Sequence, residues 1–178
     1  MLSIESFEEL LSKDFSKYFS LYQNEKYIGV NINKEKLHSL IKLLKEHDQL
    51  KFNQLIDITA VDYPSRELRF DVIYIFLSLS LNQRFVVKTA LKEQDNLQSI
   101  TDLYKSANWY ERECYDLFGI KFVNHPDLRR IMTDYNFDGH PLRKDFPLTG
   151  HTEVRYDNLE KRVIYEPVNL AQEYRDFD

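Results

Sequence analysis

The hydrophobic positions in the first fifty residues recur every three or four residues in two stretches, which is the period of an amphipathic helix. The first stretch predicts a helix over residues 3–20, with Ser6 and Glu9 as a capping box. The second predicts a helix from Asn33, its N-cap, to about Asp48, with apolar residues on one face and lysines on the other. The alternating segment between them, residues 26–32, predicts a short strand.

From Lys51 onward the period falls to two, which is typical of β-strands. Three strands are predicted, over residues 55–63, 66–80 and 84–91, with short turns between them. The second half of the middle strand is apolar on both faces. This pattern predicts a strand covered on both sides, by helices of this chain alone or by its helices on one side and a partner on the other.

The helical period returns over residues 97–107 and again over residues 108–118. Asn108 is the predicted N-cap of the second of these helices, and Gly119 is placed to end it in a left-handed conformation. This order of elements predicts an α+β fold, a two-layer domain with a mainly antiparallel sheet and helices.

Beyond the last predicted helix the chain is rich in loops. Residues 109–150 contain three of the four glycines, three of the five prolines, the only tryptophan and the only cysteine, which indicates an ordered but irregular surface. Residues 151–157 and 162–167 alternate like two short strands or an extended arm. Since so few apolar residues cannot build a core of their own, we expect this loop-rich C-terminal arm to lie along another surface.

Composition narrows the function classes. A net charge of −5 argues against a nucleic-acid partner, because phosphate binding normally requires a basic balance. The single cysteine, Cys114, excludes an intrachain disulfide and a cysteine-based metal cage, and is typical of a reducing compartment. The longest apolar run, residues 72–77, is far too short to span a membrane. The acidic N-terminal residues show neither a signal-peptide core nor an arginine-rich transit bias.

Two clusters are candidates for chemistry. Glu111, Glu113 and Asp116 surround Arg112 in the sequence, but carboxylates beside an arginine are held ionised and more often form structural ion pairs than a catalytic site. His125, His140 and His151, with aspartates nearby, are the best case for a metal site, and a stand-alone metalloenzyme is the alternative interpretation of the chain. Their spacing matches neither a zincin helix nor a zinc finger.

A short motif occurs twice, as His125-Pro126-Asp127-Leu128-Arg129-Arg130 and as His140-Pro141-Leu142-Arg143-Lys144. In each copy we expect the leucine to turn inward and the two adjacent cations to project outward. The hypothesis is that these cations receive carboxylates from the helix that carries Glu111, Glu113 and Asp116, or from a neighbouring subunit.

These residues resemble the signature of the 30-kDa subunit of respiratory complex I, the proton-pumping NADH:ubiquinone oxidoreductase. The first block that carries the resemblance consists of Glu111, Arg112, Glu113, Asp116, Leu117, Phe118, His125, Arg129, Arg130, Ile131 and Met132. The second consists of Gly139, His140, Pro141, Leu142, Arg143, Lys144, Asp145, Phe146, Pro147 and Leu148, followed by Glu153 to Tyr156 and Tyr165 to Pro167. One departure is His151, where the resemblance leads us to expect tyrosine.

The resemblance implies a structural subunit of the hydrophilic arm, beside the 49-kDa subunit that helps to form the quinone site. It implies an α/β domain, here residues 1–119, and a C-terminal extension, residues 120–178, that packs on the neighbouring subunit. It also implies no catalytic residue and no cofactor on this chain, while FMN, iron–sulfur clusters and quinone belong to other parts of the complex. The implied location is the matrix side of the mitochondrial inner membrane, or alternatively the cytoplasmic face of a bacterial inner membrane. Related subunits occur in membrane-bound hydrogenase-type complexes, so the fold alone does not identify the electron donor.

Overall fold

A five-stranded sheet backed by helices on one face forms the body of the protein in the computed structural model, which describes residues 2–15, 17–25 and 27–169. The elements in chain order are α1 (Ile4–Phe15), β1 (Phe19–Gln23), β2 (Ile28–Ile32), α2 (Lys34–Glu46), β3 (Gln54–Asp62), β4 (Phe70–Ser78), β5 (Gln83–Leu91), β6 (Asn96–Gln98), α3 (Ala107–Phe118), β7 (Lys121–Val123), β8 (Thr152–Asp157) and β9 (Arg162–Pro167). The strand order of the large sheet is β1-β2-β5-β4-β3, antiparallel except for the β2–β5 pair. The predicted α+β class and the three-strand meander are confirmed.

The core lies between the inner face of this sheet and the three helices. Phe7 of α1 stacks on Phe85 of β5 with ring centroids 4.6 Å apart, and Phe52 packs against both rings. The predicted apolar face of α2 is fully buried, and the Asn33 side chain accepts a hydrogen bond from the Glu35 N–H as its N-cap. The outer face of β4 remains half-buried, so the described helices cover this strand on one side only.

The first predicted helix is too long. It ends at Phe15, its N-terminal cap is Ser3, whose Oγ accepts from the Ser6 N–H at 3.3 Å, and residues 19–23 form β1 instead. Tyr22 of β1 lies opposite Gly29 of β2, and its ring fills the space in which a Cβ on Gly29 would stand. Pairing with β2 therefore outweighs the helical spacing that continues from Phe15 to Tyr18.

The predicted helix over residues 97–107 is wrong. Leu97 lies in β6 and pairs in parallel register with Phe122 of β7, and turns lead from there to α3. Asn108 lies inside α3, because the N-cap position belongs to Ser106. Gly119 does end the helix in the predicted left-handed conformation, with φ 79°. None of the helices in the described ranges is long and apolar enough to cross a membrane.

Candidate functional site

The helix α3 lies between the sheet and a loop layer, residues 124–150, so that it is buried on two sides. Towards the sheet, the Cys114 thiol donates to the Ile58 carbonyl oxygen at 3.3 Å, and burial raises its pKa above the usual range. Towards the loops, Arg112 and Asp116 are buried although both are ionisable. The loop layer is therefore held by charged side chains rather than by an apolar stripe.

Asp116 is the centre of this arrangement. One carboxylate oxygen accepts from the backbone N–H groups of Ile131, Met132 and Thr133 at 2.9, 2.7 and 2.9 Å. The other accepts from Arg130 Nη1 at 2.6 Å and from the Thr133 hydroxyl at 2.5 Å. Burial alone would raise the pKa of Asp116, but these hydrogen bonds outweigh it and hold the pKa well below its ordinary value. The carboxylate stays ionised and organises the loop.

Arg112 has a different role from the predicted one. Its guanidinium donates to the carbonyl oxygens of Arg129 and Arg130, at 3.1 and 3.2 Å, and to no carboxylate among the described residues. The predicted cluster of three carboxylates around Arg112 is therefore wrong. Asp116 forms its ion pair with Arg130 instead. Glu113 is half-buried on α3.

Glu111 is a buried carboxyl that the sequence interpretation treated as an ordinary ionised group. One oxygen accepts from the Ile100 N–H at 2.8 Å, while the other has no hydrogen-bond partner among the described residues. His125 Nε2 lies 4.0 Å from that second oxygen, but it donates to the Asn108 carbonyl oxygen, and Nδ1 accepts from the Asp127 N–H. Burial raises the pKa of Glu111 to about 7.

A signal for the burial of Glu111 was present in the sequence. Ala107, Glu111, Cys114 and Phe118 follow one another at steps of four, three and four residues, which places them on one helical stripe. All four are buried. The presence of Arg112 next to Glu111 concealed this, although adjacent residues on a helix do not face each other.

The two cationic motifs each direct one cation inward, which corrects the prediction that both cations project outward. In the first motif Arg130 turns inward to Asp116, whereas Arg129 is exposed and pairs with Asp127 at 2.8 Å. In the second, Arg143 turns inward, donates to the Phe118 carbonyl oxygen at 2.6 Å and pairs with Glu93 at 2.9 Å, whereas Lys144 is exposed.

The two leucines also differ. Leu128 packs against the core as expected, but Leu142 is exposed, so the expectation for the second copy is wrong. The Leu142 N–H donates to the Leu117 carbonyl oxygen at 3.0 Å and ties the motif to the end of α3. A Cβ on Gly119 would lie 2.5 Å from Arg143 Nη2 and 2.7 Å from the His140 ring, so the helix end must be glycine for the motif to approach this closely.

A second charge network fixes the second motif to the edge of the sheet. Buried Asp62 accepts from Arg69 at 2.7 and 2.9 Å and from the Lys144 N–H at 2.8 Å. Arg69 also pairs with Asp145 at 2.9 Å and with Glu93 at 3.3 Å. The hydrogen bonds from Arg69 hold the pKa of Asp62 below its ordinary value. Sequence reasoning missed Asp62, Arg69 and Glu93, because they lie far from the motif along the chain.

The three histidines of the metal hypothesis have separate partners. His125 is hydrogen-bonded to the Asn108 carbonyl oxygen and the Asp127 N–H. His140 Nδ1 lies 2.8 Å from the Asp116 carbonyl oxygen, and the His151 ring packs edge-on against Phe146. No group of three or more His, Cys, Asp and Glu within residues 2–15, 17–25 and 27–169 could hold a metal ion. The structure therefore does not bring these histidines together as one ligand set.

The C-terminal hairpin of β8 and β9 presents an apolar face. Val154 lies opposite Tyr165, and Tyr156 opposite Val163, and cross-strand partners share one face of a hairpin. All four side chains are more than half exposed. Ten of the fifteen exposed large hydrophobic side chains among the described residues lie beyond residue 120. Since contiguous exposed apolar surface marks interaction sites, the part of the chain beyond residue 120 is the candidate docking surface.

The remaining signature residues support the shape of this region. Gly139 has φ 91°, and a Cβ there would lie 2.8 Å from the Phe146 ring. Leu117 and Phe118 pack against the core, and Pro141 is half-buried.

Comparisons with protein families and with individual proteins both lead to a subunit of respiratory NADH dehydrogenase. The family model described as "Respiratory-chain NADH dehydrogenase, 30 Kd subunit" matches residues 30–152. The chain is 56% identical over 151 residues to a subunit of the NADH-quinone oxidoreductase of Ruegeria pomeroyi, covering 85% of this chain and 76% of that protein. It is 53% identical over 163 residues to the probable mitochondrial NADH-ubiquinone oxidoreductase 30.4 kDa subunit of Candida maltosa, covering 92% of this chain and 58% of that protein.

A solved structure is also similar. It is the membrane-bound sulfane sulfur reductase, an archaeal respiratory membrane complex, one chain of which superposes with a TM-score of 0.69 at 25% identity, over 81% of this chain and 85% of that chain.

Proposed function

Because the chain belongs to the family of the 30-kDa subunit of respiratory-chain NADH dehydrogenase, we propose that it is a non-catalytic, cofactor-free docking subunit of the hydrophilic arm of that complex. Its partner is the 49-kDa subunit at the quinone site, and residues 120–178 supply the contact. The subunit lies on the matrix side of the inner membrane, or on the cytoplasmic side in a bacterium.

The observation that carries this proposal is the distribution of exposed apolar side chains. They concentrate on the hairpin and the loops beside it, including Met132, Tyr135, Leu148 and Leu159. Burying such surface is the main favourable term in subunit association. Exposed charges such as Arg129 and Lys144 then fix orientation more than they add affinity.

A structural role also agrees with the state of the ionisable groups. A general base needs to reach its substrate with a pKa near the working pH. Asp116 is held ionised by five donors within the chain, and Glu111, whose pKa of about 7 would suit such a base, is fully buried beneath the loop layer. Both carboxyl groups therefore contact other parts of this chain and are not available to a substrate.

Deleting residues 151–178 tests the proposal. Among the described residues, the hairpin contacts the loop layer mainly through the Tyr165 to Asp134 hydrogen bond and the His151 to Phe146 ring contact, so we expect the truncated chain to keep its cooperative thermal unfolding. We expect it to be lost from the assembled complex on native gels. Leu79→Ser, at an exposed turn leucine of the body, serves as the control and should assemble normally. Intact, active complex containing the truncated chain would refute the proposal.

A further inference from the structure

An open groove separates the β8–β9 hairpin from the loop over residues 131–146. Its volume is about 630 Å³. Its apolar lining comes from Met132, Phe137 and Phe146 on the loop side and from Val154 and Tyr165 on the hairpin side. Phe137 and Phe146 pack against each other with centroids 5.7 Å apart, so this wall is formed without an occupant. The groove is open, is large enough to admit an apolar side chain of another chain, and has a mainly apolar lining.

The carboxylates that line the groove are not accompanied by lysine or arginine. Asp134 and Asp138 line it together with His151, and no lysine or arginine of the described residues does. Asp134 accepts a hydrogen bond from the Tyr165 hydroxyl at 2.8 Å and forms no ion pair, while Asp138 forms neither an ion pair nor a hydrogen bond within the described residues. By contrast, Asp127 of the loop layer and Asp116 of α3 are each paired with an arginine of the loop layer. Two unmatched carboxylates beside an apolar groove fit a cationic ligand.

The groove is continuous with the apolar face of the hairpin, because Val154 and Tyr165 belong to both. We propose that the groove receives an apolar side chain of the partner subunit that is flanked in its own sequence by a lysine or an arginine. The apolar side chain fills the space between Phe146 and Val154, and the cation lies against Asp134 and Asp138. This inference rests on the proposed docking function and names the part of the surface that selects the partner.

Two valines on the same hairpin face provide a matched test. Val154 and Val163 are each paired with a tyrosine and are 53% and 54% exposed, but only Val154 lines the groove. Valine to threonine keeps the β-branched shape and adds a hydroxyl that is costly to bury. Val154→Thr should reduce incorporation about tenfold against co-expressed wild-type chain, measured by mass spectrometry of the purified complex. Val163→Thr, on the same docking face but outside the groove, should reduce it clearly less, by about two- to threefold. Equal effects at both positions, or no effect at Val154, would overturn the inference.

The carboxylates are tested by neutralisation. Asp134→Asn with Asp138→Asn keeps an acceptor for the Tyr165 hydroxyl and removes two charges. Glu153→Gln with Glu160→Gln removes two charges from the same hairpin outside the groove. The aspartate pair should weaken incorporation by about two- to thirtyfold, in a salt-dependent manner, as expected for two exposed ion pairs. The glutamate pair should have no such effect. Indistinguishable results for the two double variants would contradict the cationic partner.

Photo-crosslinking identifies the occupant directly. Photo-methionine at Met132, which lines the groove, should crosslink within the assembled complex to a partner peptide in which an apolar residue adjoins a lysine or arginine. A crosslink to residues 170–178 of the same chain, to a second copy, or to a partner segment without a cation would overturn the inference. The groove experiments can give the contrary results while deletion of residues 151–178 still abolishes assembly. In that case the proposed docking function is retained, and the inference that the groove selects the partner is rejected.

Discussion

Replacing Asp116 by asparagine should destabilise the protein strongly, because its carboxylate holds the loop layer on α3. The amide oxygen can still accept from the three backbone N–H groups of residues 131–133. The amide nitrogen must then face Arg130, which also donates, so the buried guanidinium loses its counter-ion. The perturbation is therefore one lost ion pair and three weakened hydrogen bonds.

The magnitude follows from the burial of the pair. Removing one partner of a buried ion pair typically costs about 3–5 kcal/mol, and Asp116 is fully buried while the Arg130 side chain is 16% exposed. We expect the free energy of unfolding to fall by about 3 kcal/mol at pH 7, near the lower limit because Arg130 keeps its bond to the Gly139 carbonyl oxygen. Asp127→Asn is the matched control. It breaks an exposed carboxylate–arginine pair and should cost less than about 1 kcal/mol.

The assay is urea unfolding of the full chain at pH 7 and at about pH 3. The pKa of Asp116 is lower in the folded state than in the unfolded chain, so its contribution is fully present above the unfolded pKa of about 3.9 and is lost as the pH falls towards the folded value. The difference between wild type and Asp116→Asn should therefore shrink at about pH 3. A difference at pH 7 no larger than that of Asp127→Asn, or one that does not depend on pH, would refute the reasoning.

Two further substitutions probe the other buried charges. The effect of Glu111→Gln on the free energy of unfolding should be more favourable at pH 8 than at pH 4 by about 3 kcal/mol. The raised pKa means that the stability which the protonated Glu111 contributes is fully present below the unfolded pKa and is lost as the pH rises through about 7. Urea unfolding at both values checks this, and equal effects at the two would contradict it. Arg69→Met should cost about 3 kcal/mol, because it leaves buried Asp62 without its guanidinium. Arg84→Met, at an exposed arginine that forms no ion pair within the described residues, is the control, and similar losses for the two would contradict a stabilising role of the sheet-edge network.

The local part of the fold was predictable from sequence because its signals are local. The period-two pattern over residues 55–91 and the apolar stripe of α2 lead directly to β3, β4, β5 and the second helix. The two errors fall where strand pairing decides the structure, since the first predicted helix is confirmed over Ile4–Phe15 but not beyond it, and the helix over residues 97–107 is wrong. β1 exists because it pairs with β2, and β6 because it pairs with β7, which lies beyond α3 in the chain. A three-residue strand has too few positions to display a period of its own.

The candidate site shows the same limit at the level of single side chains. The sequence contains adjacent cations at Arg129-Arg130 and Arg143-Lys144 but does not say which member turns inward. That choice depends on acceptors that the fold supplies from elsewhere, namely Asp116 for Arg130, and the Phe118 carbonyl oxygen and Glu93 for Arg143. Patterns of residue type therefore located the region, whereas the direction of each charge required the three-dimensional arrangement.

Whether a side chain points inward or outward also distinguishes two roles among the signature residues, namely ordering the loop layer and contacting the partner. The loop layer contains only a few backbone hydrogen bonds of its own, and its order comes from inward side chains such as Asp116, Arg112 and Arg143, which bind backbone N–H and carbonyl groups. Altering these residues changes the shape of the surface and therefore affects stability and assembly together. Met132, Leu148 and Val154 project from the same surface and are exposed, so altering them leaves the fold intact and affects assembly alone. A loss of assembly without a loss of stability is thus the criterion for a residue that contacts the partner.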